Sequence, residues 1–359
     1  MAIPNVTGAQ RPAKAAPWWR GFRAQPPPRL NLALQGGGAH GAFTWGVLDA
    51  LLEHPGLDFE GLSGSSAGAM NAVLMAQGWM NGGRNGAREA LRVFWTAVGK
   101  QMSSAMVTQS RHDEMDLSLT SKLLATLTGY FPPWQLNPLD LNPLRDLLEE
   151  QVDFERLRSH SPFKLFVGAT NANTGKLRLF REHELTPDML LASACLPKIQ
   201  RAIDIDGQPY WDGGFSANPA VFPLFFDCEA RDILLVLLSP LVHEGTPKSV
   251  GEIDARILEL MFSAHFMREM RMFTRVKAFS APGWLVSGRL EQRLHRTRFH
   301  MVDSSAVASL RRSATRMLAY GPFLEQLRMQ GRERGQAWLD SCAQRIGRQS
   351  TVNLESLFG

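Results

Sequence analysis

Ser66 is the residue whose type and setting best suit a nucleophile. It stands in the middle of Gly64-Ser65-Ser66-Ala67-Gly68, which fits the pattern Gly-x-Ser-x-Gly. In this pattern a serine on a tight strand-to-helix turn projects its hydroxyl above a sheet, and the two outer glycines leave room for a strained backbone. The helix that follows points the positive end of its dipole at the serine. We therefore predict that Ser66 is a catalytic nucleophile, with Gly64 and Gly68 as the structural glycines of its turn.

A second glycine-rich turn, Gly36-Gly37-Gly38-Ala39-His40-Gly41, lies upstream of Ser66. Backbone N–H groups at the start of a helix suit a developing oxyanion. We predict an oxyanion hole formed by Gly36, Gly37, Gly38 and Gly41 of this turn together with Ala67, the N–H donors being those of Gly37, Gly38 and Ala67. Either turn alone could be a plain glycine connection, but two such turns in the same context favour a catalytic site.

Asp212 is the candidate general base. Residues 203–205 and 208–211 flank Asp206-Gly207, which predicts a tight hairpin, and Asp212 follows its second strand. Gly213 and Gly214 come next and allow another backbone to approach closely. A carboxylate beside a serine hydroxyl can take its proton directly. The alternative is an aspartate that only caps its own turn.

The elements around the two turns predict how they meet. Residues 30–34 and 59–62 are short apolar runs, and each is followed by a glycine turn and by a segment with helical spacing of apolar residues, 39–52 and 67–76. Such a βαβα order predicts two parallel neighbouring strands with both turns at one edge of the sheet. We expect Leu32, Leu34, Leu62, Val167, Leu235 and Leu237 to be buried in that sheet.

These motifs resemble those of the patatin-like phospholipase family, which has a Gly-Gly-Gly-x-[Arg/Lys]-Gly loop, then Gly-x-Ser-x-Gly, then Asp-Gly-[Gly/Ala]. The third motif is present as Asp212-Gly213-Gly214, and the resemblance covers roughly residues 30–238. It implies a three-layer α/β fold with a mainly parallel central sheet, helices on both faces, a helical cap and a helical C-terminal region. It also implies an acyl-ester or phospholipid substrate, a Ser66–Asp212 dyad, no metal and no cofactor. His40 and Gln35 depart from the residues common in the family.

The chain is expected to have three parts. Residues 1–29 contain five arginines or lysines, no acidic residue and the run Pro26-Pro27-Pro28, and they predict a flexible basic arm whose tryptophans contact either lipid or the protein itself. Residues 30–240 are the predicted catalytic domain, with 81–145 as a helical cap insertion that does not resemble sheet. Residues 241–359 are predicted to be mainly helical and packed on it.

Composition limits the class of protein. Of the 359 residues 44% are hydrophobic, and the net charge is +5. The basic excess favours an anionic surface, either a membrane or a nucleic acid, without choosing between them. We expect peripheral contact with an anionic membrane or lipid surface and no nucleic-acid partner, and the oligomeric state is open. Cys195, Cys228 and Cys342 show no disulfide or zinc spacing, and no run of eighteen apolar residues or signal peptide is present. We therefore expect a cytoplasmic protein that associates peripherally with a membrane or lipid surface.

One long helix is predicted over 251–277. Its apolar side comprises Ile253, Ile257, Leu260, Met261, Ala264 and Met267. Contact with acyl chains or a membrane is one interpretation of its Met-rich, Arg-dotted sequence, and packing in the core is the favoured one.

Three other functions are compatible with parts of the sequence. An α/β-hydrolase triad would add His295 or His300 to Ser66 and Asp212 in the required order. However, only one strand precedes the strand that leads into the serine turn, and both histidines are predicted to lie on the surface. Gly36, Gly38 and Gly41 also fit a dinucleotide-binding fingerprint, although the acidic residue expected after the second strand is missing. A basic protein that coats a lipid surface would not need these motifs.

Overall fold

A mixed sheet of eight strands organises the part of the chain that is described by this computed structural model, namely residues 27–109, 115–118, 121, 132–243, 245–279, 288–302 and 304–359. The predicted arm, apart from Pro27, Pro28 and Arg29, lies outside these residues, as do parts of the predicted cap. The strands are β1 (Arg29–Leu34), β2 (Asp58–Ser65), β5 (Lys164–Asn171), β6 (Leu177–Arg181), β7 (Ile203–Ile205), β8 (Gln208–Asp212), β9 (Asp232–Val236) and β10 (Arg298–Val302). A separate antiparallel pair is formed by β3 (Val107–Gln109) and β4 (Met115–Leu117).

Helices connect and cover these strands. They are α1 (Gly41–Glu53), α2 (Ala67–Gly99), α3 (Pro133–Leu136), α4 (Pro143–Gln151), α5 (Phe154–His160), α6 (Pro187–Ser193), α7 (Phe222–Asp227), α8 (Val250–Phe279), α9 (Arg289–Arg296), α10 (Gly321–Cys342) and α11 (Leu354–Phe358). Helix α2 contains a break at Gly82 and Gly83, whose backbone angles are not helical. Helix α2 therefore consists of two helical segments joined at a kink.

The large sheet has the order β10-β9-β1-β2-β5-β8-β7. Strands β10, β9, β1, β2 and β5 form a continuous parallel run, whereas β6 and β8 pair with β5, and β7 pairs with β8, in antiparallel fashion. The mainly parallel sheet predicted from the sequence is confirmed. Both glycine turns follow the carboxyl ends of adjacent parallel strands, β1 and β2, and so lie at the same edge.

Alternate residues of the central strands enter two different cores. In β5, Leu165 and Val167 join the core on one face, and Phe166 joins the core on the other. The first core also receives α1, α2 and α10, and the second receives α7, α8 and α11. The leucines and valine predicted to be buried all are, the most accessible of them, Leu237, being only 3% exposed. This is the three-layer arrangement expected for the chain.

Two regions differ from the sequence interpretation. Strand β10 lies within the arginine-rich stretch that was predicted to be helical, and it extends the parallel sheet beyond β9. The predicted cap contains the β3–β4 pair, although no sheet was predicted there. In both places the strands are short, and the local pattern of apolar residues does not indicate which strands they pair with.

Helix α8 covers the predicted span 251–277, but much of its predicted apolar side lies outside the core. Ile253, Ile257, Leu260 and Met261 are 43–50% exposed. The second half is the anchored part, with Phe266 and Met270 buried. Among the described residues, no helix combines the length and apolar character needed to cross a bilayer.

Candidate active site

The turn that carries Ser66 has the backbone of a nucleophile elbow. Ser66 has φ 54° and ψ −127°, a left-handed conformation that is costly for a residue with a side chain. Its N–H donates to the carbonyl of Ser193 at 3.0 Å and to the hydroxyl of Ser193 at 2.9 Å. The Ser66 side chain makes no capping bond to helix α2, so its hydroxyl stays available for chemistry.

The two glycine turns are pressed against each other. A methyl group at Gly68 would lie 2.1 Å from the carbonyl oxygen of Leu34, at the end of β1. A methyl group at Gly36 would lie 2.9 Å from the Cβ of Ser66. These positions need glycine because no side chain fits between the turns. Gly64 is similarly close to Gly68, and the contact brings residues 36–38 beside the serine.

The register of the sheet explains how Asp212 reaches Ser66. Ser65, at the end of β2, pairs with Gly168 of β5, and Asp212, at the end of β8, pairs with Ala169. Strand β6 covers the opposite edge of β5 over residues 166–170, so β2 and β8 must share the remaining edge. The two strands therefore meet end to end, and the residues at their ends are neighbours.

Asp212 is a buried carboxylic acid in contact with the serine. Asp212 is 1% exposed and accepts the N–H of Gly214 at 2.7 Å. Burial raises the pKa of Asp212 to about 7, and the Gly214 N–H and the nearby Ser66 hydroxyl oppose the rise. A base with a pKa near neutrality is well matched to proton transfer at physiological pH.

The structure narrows the set of available oxyanion donors. The N–H of Gly36 donates to Oδ1 of Asn218 at 2.7 Å, and the N–H of Gly41 donates to the carbonyls of Gly38 and Ala39. The N–H groups of these two members of the predicted oxyanion hole are thus occupied, and the two glycines serve close packing instead. Gly37, Gly38 and Ala67 have N–H groups without a hydrogen-bond acceptor in the described part of the chain.

His40 is a neutral, buried anchor of the same turn. Its Nε2 lies 2.8 Å from the hydroxyl of Thr315. That hydroxyl is also 2.7 Å from the carbonyl of Arg312, which takes its single proton. Nε2 of His40 must then be the protonated nitrogen, and Nδ1 is left without a partner among the described residues. Burial, aided by the positive charge of Arg316, lowers the pKa of His40 to about 3.

Arg316 supplies a cation beside this turn. Its backbone carbonyl would lie 2.4 Å from a methyl group at Gly38, where φ is +58°. Its Nη2 donates to the hydroxyl of Ser239 at 2.7 Å. In the loop motif that residues 36–41 resemble, the position of His40 holds a positively charged Arg or Lys. His40 is neutral, and the guanidinium of Arg316, from a distant segment of the chain, lies next to the turn instead.

The two histidines considered for a triad lie elsewhere. His295 is exposed on α9. His300 is fully buried in β10, where Nε2 lies 3.0 Å from Asp232 and Nδ1 lies 3.1 Å from Thr351. The prediction that His300 is a surface residue is wrong, because β10 belongs to the sheet. Three strands, β9, β1 and β2, separate it from the edge of β5 where Asp212 meets Ser66.

The end of β2 also lacks the feature that a dinucleotide site needs. The hydroxyls of Ser63 and Ser65 donate to the carbonyls of Ala220 and Ala217, at 2.6 Å and 2.7 Å. These residues stand where a carboxylate would bind a ribose.

Several supporting residues were not found by sequence reasoning. Asn218, Thr315 and Arg316 hold the first turn, and Phe262 of α8 covers Gly214, where a methyl group would lie 2.1 Å from its ring. Only Asn218 has a local signal, since it follows the Asp-Gly-Gly motif closely.

Comparison with known proteins agrees with the arrangement of the motifs. The family model described as patatin-like phospholipase matches residues 32–225. The crystal structure of VipD from Legionella pneumophila is similar at 15% identity and a TM-score of 0.39, over 88% of this chain and 67% of that chain. No curated protein matches the sequence.

Proposed function

Because this chain belongs to the patatin-like phospholipase family, we propose that it hydrolyses lipid acyl esters with Ser66 as nucleophile and Asp212 as general base. The observation that carries the proposal is the sheet register, which brings the end of β2 at Ser65 beside Asp212, a buried carboxylate whose pKa is raised to about 7. The strained backbone of Ser66 supports it, since such strain is typical of a nucleophile on an elbow.

In the first half of the reaction, Oγ of Ser66 attacks the acyl carbonyl carbon and its proton passes to Asp212. The negative charge that develops on the carbonyl oxygen is stabilised by the N–H groups of Gly37, Gly38 and Ala67. The tetrahedral intermediate collapses as the C–O bond to the alcohol breaks. Asp212 returns the proton to that alcohol, and the acyl group remains on Ser66.

In the second half, water attacks the acyl-serine ester and gives a proton to Asp212. Collapse of the second intermediate releases the carboxylic acid, and the proton returns to Ser66. Atoms and charge balance with water as the only co-reactant. Substrates are proposed to be carboxylic esters of lipids, of the phospholipase A type, presented at a membrane or lipid surface.

The test is covalent labelling and hydrolysis with matched variants. A fluorophosphonate probe, p-nitrophenyl esters and phospholipids are applied to the wild type, Ser66→Ala, and the exposed control Ser159→Ala on α5. We expect labelling and hydrolysis to disappear in Ser66→Ala only, with the melting temperature retained. Labelling that persists in Ser66→Ala would move the nucleophile to another serine and overturn the proposal.

A further inference from the structure

The outward side of helix α8 exposes large apolar residues without a partner among the described residues. Ile253, Ile257 and Met261 are 43%, 50% and 47% exposed. With 3.6 residues per turn, these three positions fall within an arc of roughly 80°. The side chains are therefore adjacent and form a continuous apolar stripe.

The opposite side of α8 faces the body of the protein. Phe262 packs on Phe215, with the ring centroids 4.7 Å apart, and Phe266 packs on Phe358 at 5.8 Å. Further along, Glu269 accepts the backbone N–H of Val221 at 3.0 Å and so joins α8 to the start of α7. This side of α8 makes the contacts that hold the helix on the body of the protein, so the exposed stripe is not needed for folding.

The stripe continues as a line of arginines. Arg268, Arg271 and Arg275 are exposed and occupy the same arc as Ile253 and Ile257. Arg271 donates to the carbonyl of Phe358, and Arg275 lies 4.0 Å from Glu355. The acidic residues of α8 are Glu252, Asp254, Glu259 and Glu269. Asp254 is exposed near the apolar end, whereas Glu252 accepts backbone N–H groups at the helix start, Glu259 pairs with Arg256, and Glu269 is turned to α7.

We propose that this outward stripe, residues 253, 257, 261, 268, 271 and 275 of α8, docks the protein on an anionic lipid surface. Helices that lie in a bilayer interface combine an apolar side with basic residues in this way. The isoleucines and Met261 enter the acyl boundary, and the arginines face lipid phosphates, each contributing about fivefold to partitioning. Charge complementarity favours lipid over a second copy of this chain, because the stripe would meet its own arginines.

The position of the stripe links docking to the candidate active site. Phe262, on the other side of the same turn as Met261, covers Gly214, two residues after Asp212. Docking therefore places the lipid surface about one helix diameter from Gly214. The inference rests on the proposed function for its choice of lipid, and it names the surface that presents the substrate.

The test is co-sedimentation of the full chain with phosphatidylcholine vesicles, with and without phosphatidylglycerol. Ile253→Asn together with Ile257→Asn should weaken binding to the anionic vesicles by at least about tenfold. Arg268→Gln together with Arg271→Gln should weaken binding only when phosphatidylglycerol is present. The control is Met329→Asn, which is 57% exposed on α10 at the opposite face of the sheet and should bind like the wild type.

Two further measurements separate the possible failures. All these variants should hydrolyse a soluble short-chain ester at the wild-type rate, which shows that they are folded. A wild type that hydrolyses this ester but does not sediment with vesicles overturns the docking surface and leaves the proposed function intact. Sedimentation without any Ser66-dependent hydrolysis supports docking and refutes the hydrolase. Gel filtration that shows a dimer abolished by the isoleucine variant, with vesicle binding unchanged, assigns the stripe to a second copy and overturns the proposal.

Discussion

The two turns of the candidate site differ in what holds them. The serine turn is fixed by Ser193 and by packing against the end of β1, all within the region that matches the family. The glycine-rich turn at 36–41 also depends on Thr315 and Arg316, far outside that region. The proposed reacting groups and part of the support of the glycine-rich turn therefore come from different parts of the chain. Variants should therefore separate loss of chemistry from loss of support.

The largest expected effect comes from Asp212→Asn, which acts on the chemistry alone. The amide keeps the shape of the carboxylate but cannot accept the proton from Ser66, so kcat/KM for a soluble ester should fall by about a thousandfold. The structure should remain intact by circular dichroism. His295→Ala, on the exposed α9, is the matched control and should stay fully active. An inactive but folded His295→Ala would return the triad to consideration.

Gly38→Ala should have the next largest effect, because it displaces an oxyanion donor. The new methyl group would lie 2.4 Å from the carbonyl of Arg316, and φ is +58°, so the turn must shift. Loss of one donor costs about a hundredfold in kcat. Gly82→Ala, at the open kink of α2, meets nothing within 4 Å and serves as the control. Equal activity of the two variants would exclude the Gly38 N–H from the oxyanion hole.

The pH dependence of kcat/KM near neutrality should come from Asp212 only. Asp212 acts when ionised, so kcat/KM should fall about tenfold per unit as pH drops below its pKa of about 7. His40, with its pKa lowered to about 3, should add no second titration near neutrality. A bell or a second acidic step between pH 5 and 8 would contradict this assignment.

Stability should change with pH in the opposite direction. The folded pKa of Asp212 is raised from 3.8 to about 7, so the carboxyl favours folding least when ionised, and stability is lost as pH rises through this window. Asp212→Asn does not lose stability in this way, because the amide does not titrate. Its advantage in free energy of unfolding should grow from pH 4 and level off above pH 7, at an upper limit of about 4 kcal/mol. Denaturation by urea at several pH values measures it.

Thr315→Val should have the smallest effect and act on support alone. Valine keeps the shape but cannot accept the proton of His40 Nε2, and the unsatisfied buried N–H should cost about 1–3 kcal/mol of stability. We expect kcat to fall by about tenfold with little change in KM, and Thr315→Ser to restore it. A Thr315→Val enzyme that is less stable but has an unchanged kcat would show that the turn is held without His40.

The sequence predicted those parts of the site whose signals are local. Ser66, the two glycine turns and the hairpin before Asp212 all follow from residue types that are adjacent in the chain. The long helix α8 was predicted too, but periodicity marks an apolar side without saying whether the core or the outside receives it. The roles of Thr315 and His300 could not be predicted, because each depends on a partner that only the folded sheet brings near. Whether Ser66 and Asp212 react as a pair stays a prediction.

The bond between His40 and Thr315 joins residues 275 positions apart, and this sets an order of events during synthesis. The family-matched region ends at residue 225, so it leaves the ribosome well before residue 315 does. At typical rates of translation the interval lasts roughly 5 to 20 s. A nascent chain therefore contains Ser66 and Asp212 for some seconds before the bond between His40 and Thr315 can form. The proposed hydrolase gains this support of its glycine-rich turn only after its two proposed reacting residues have been synthesised.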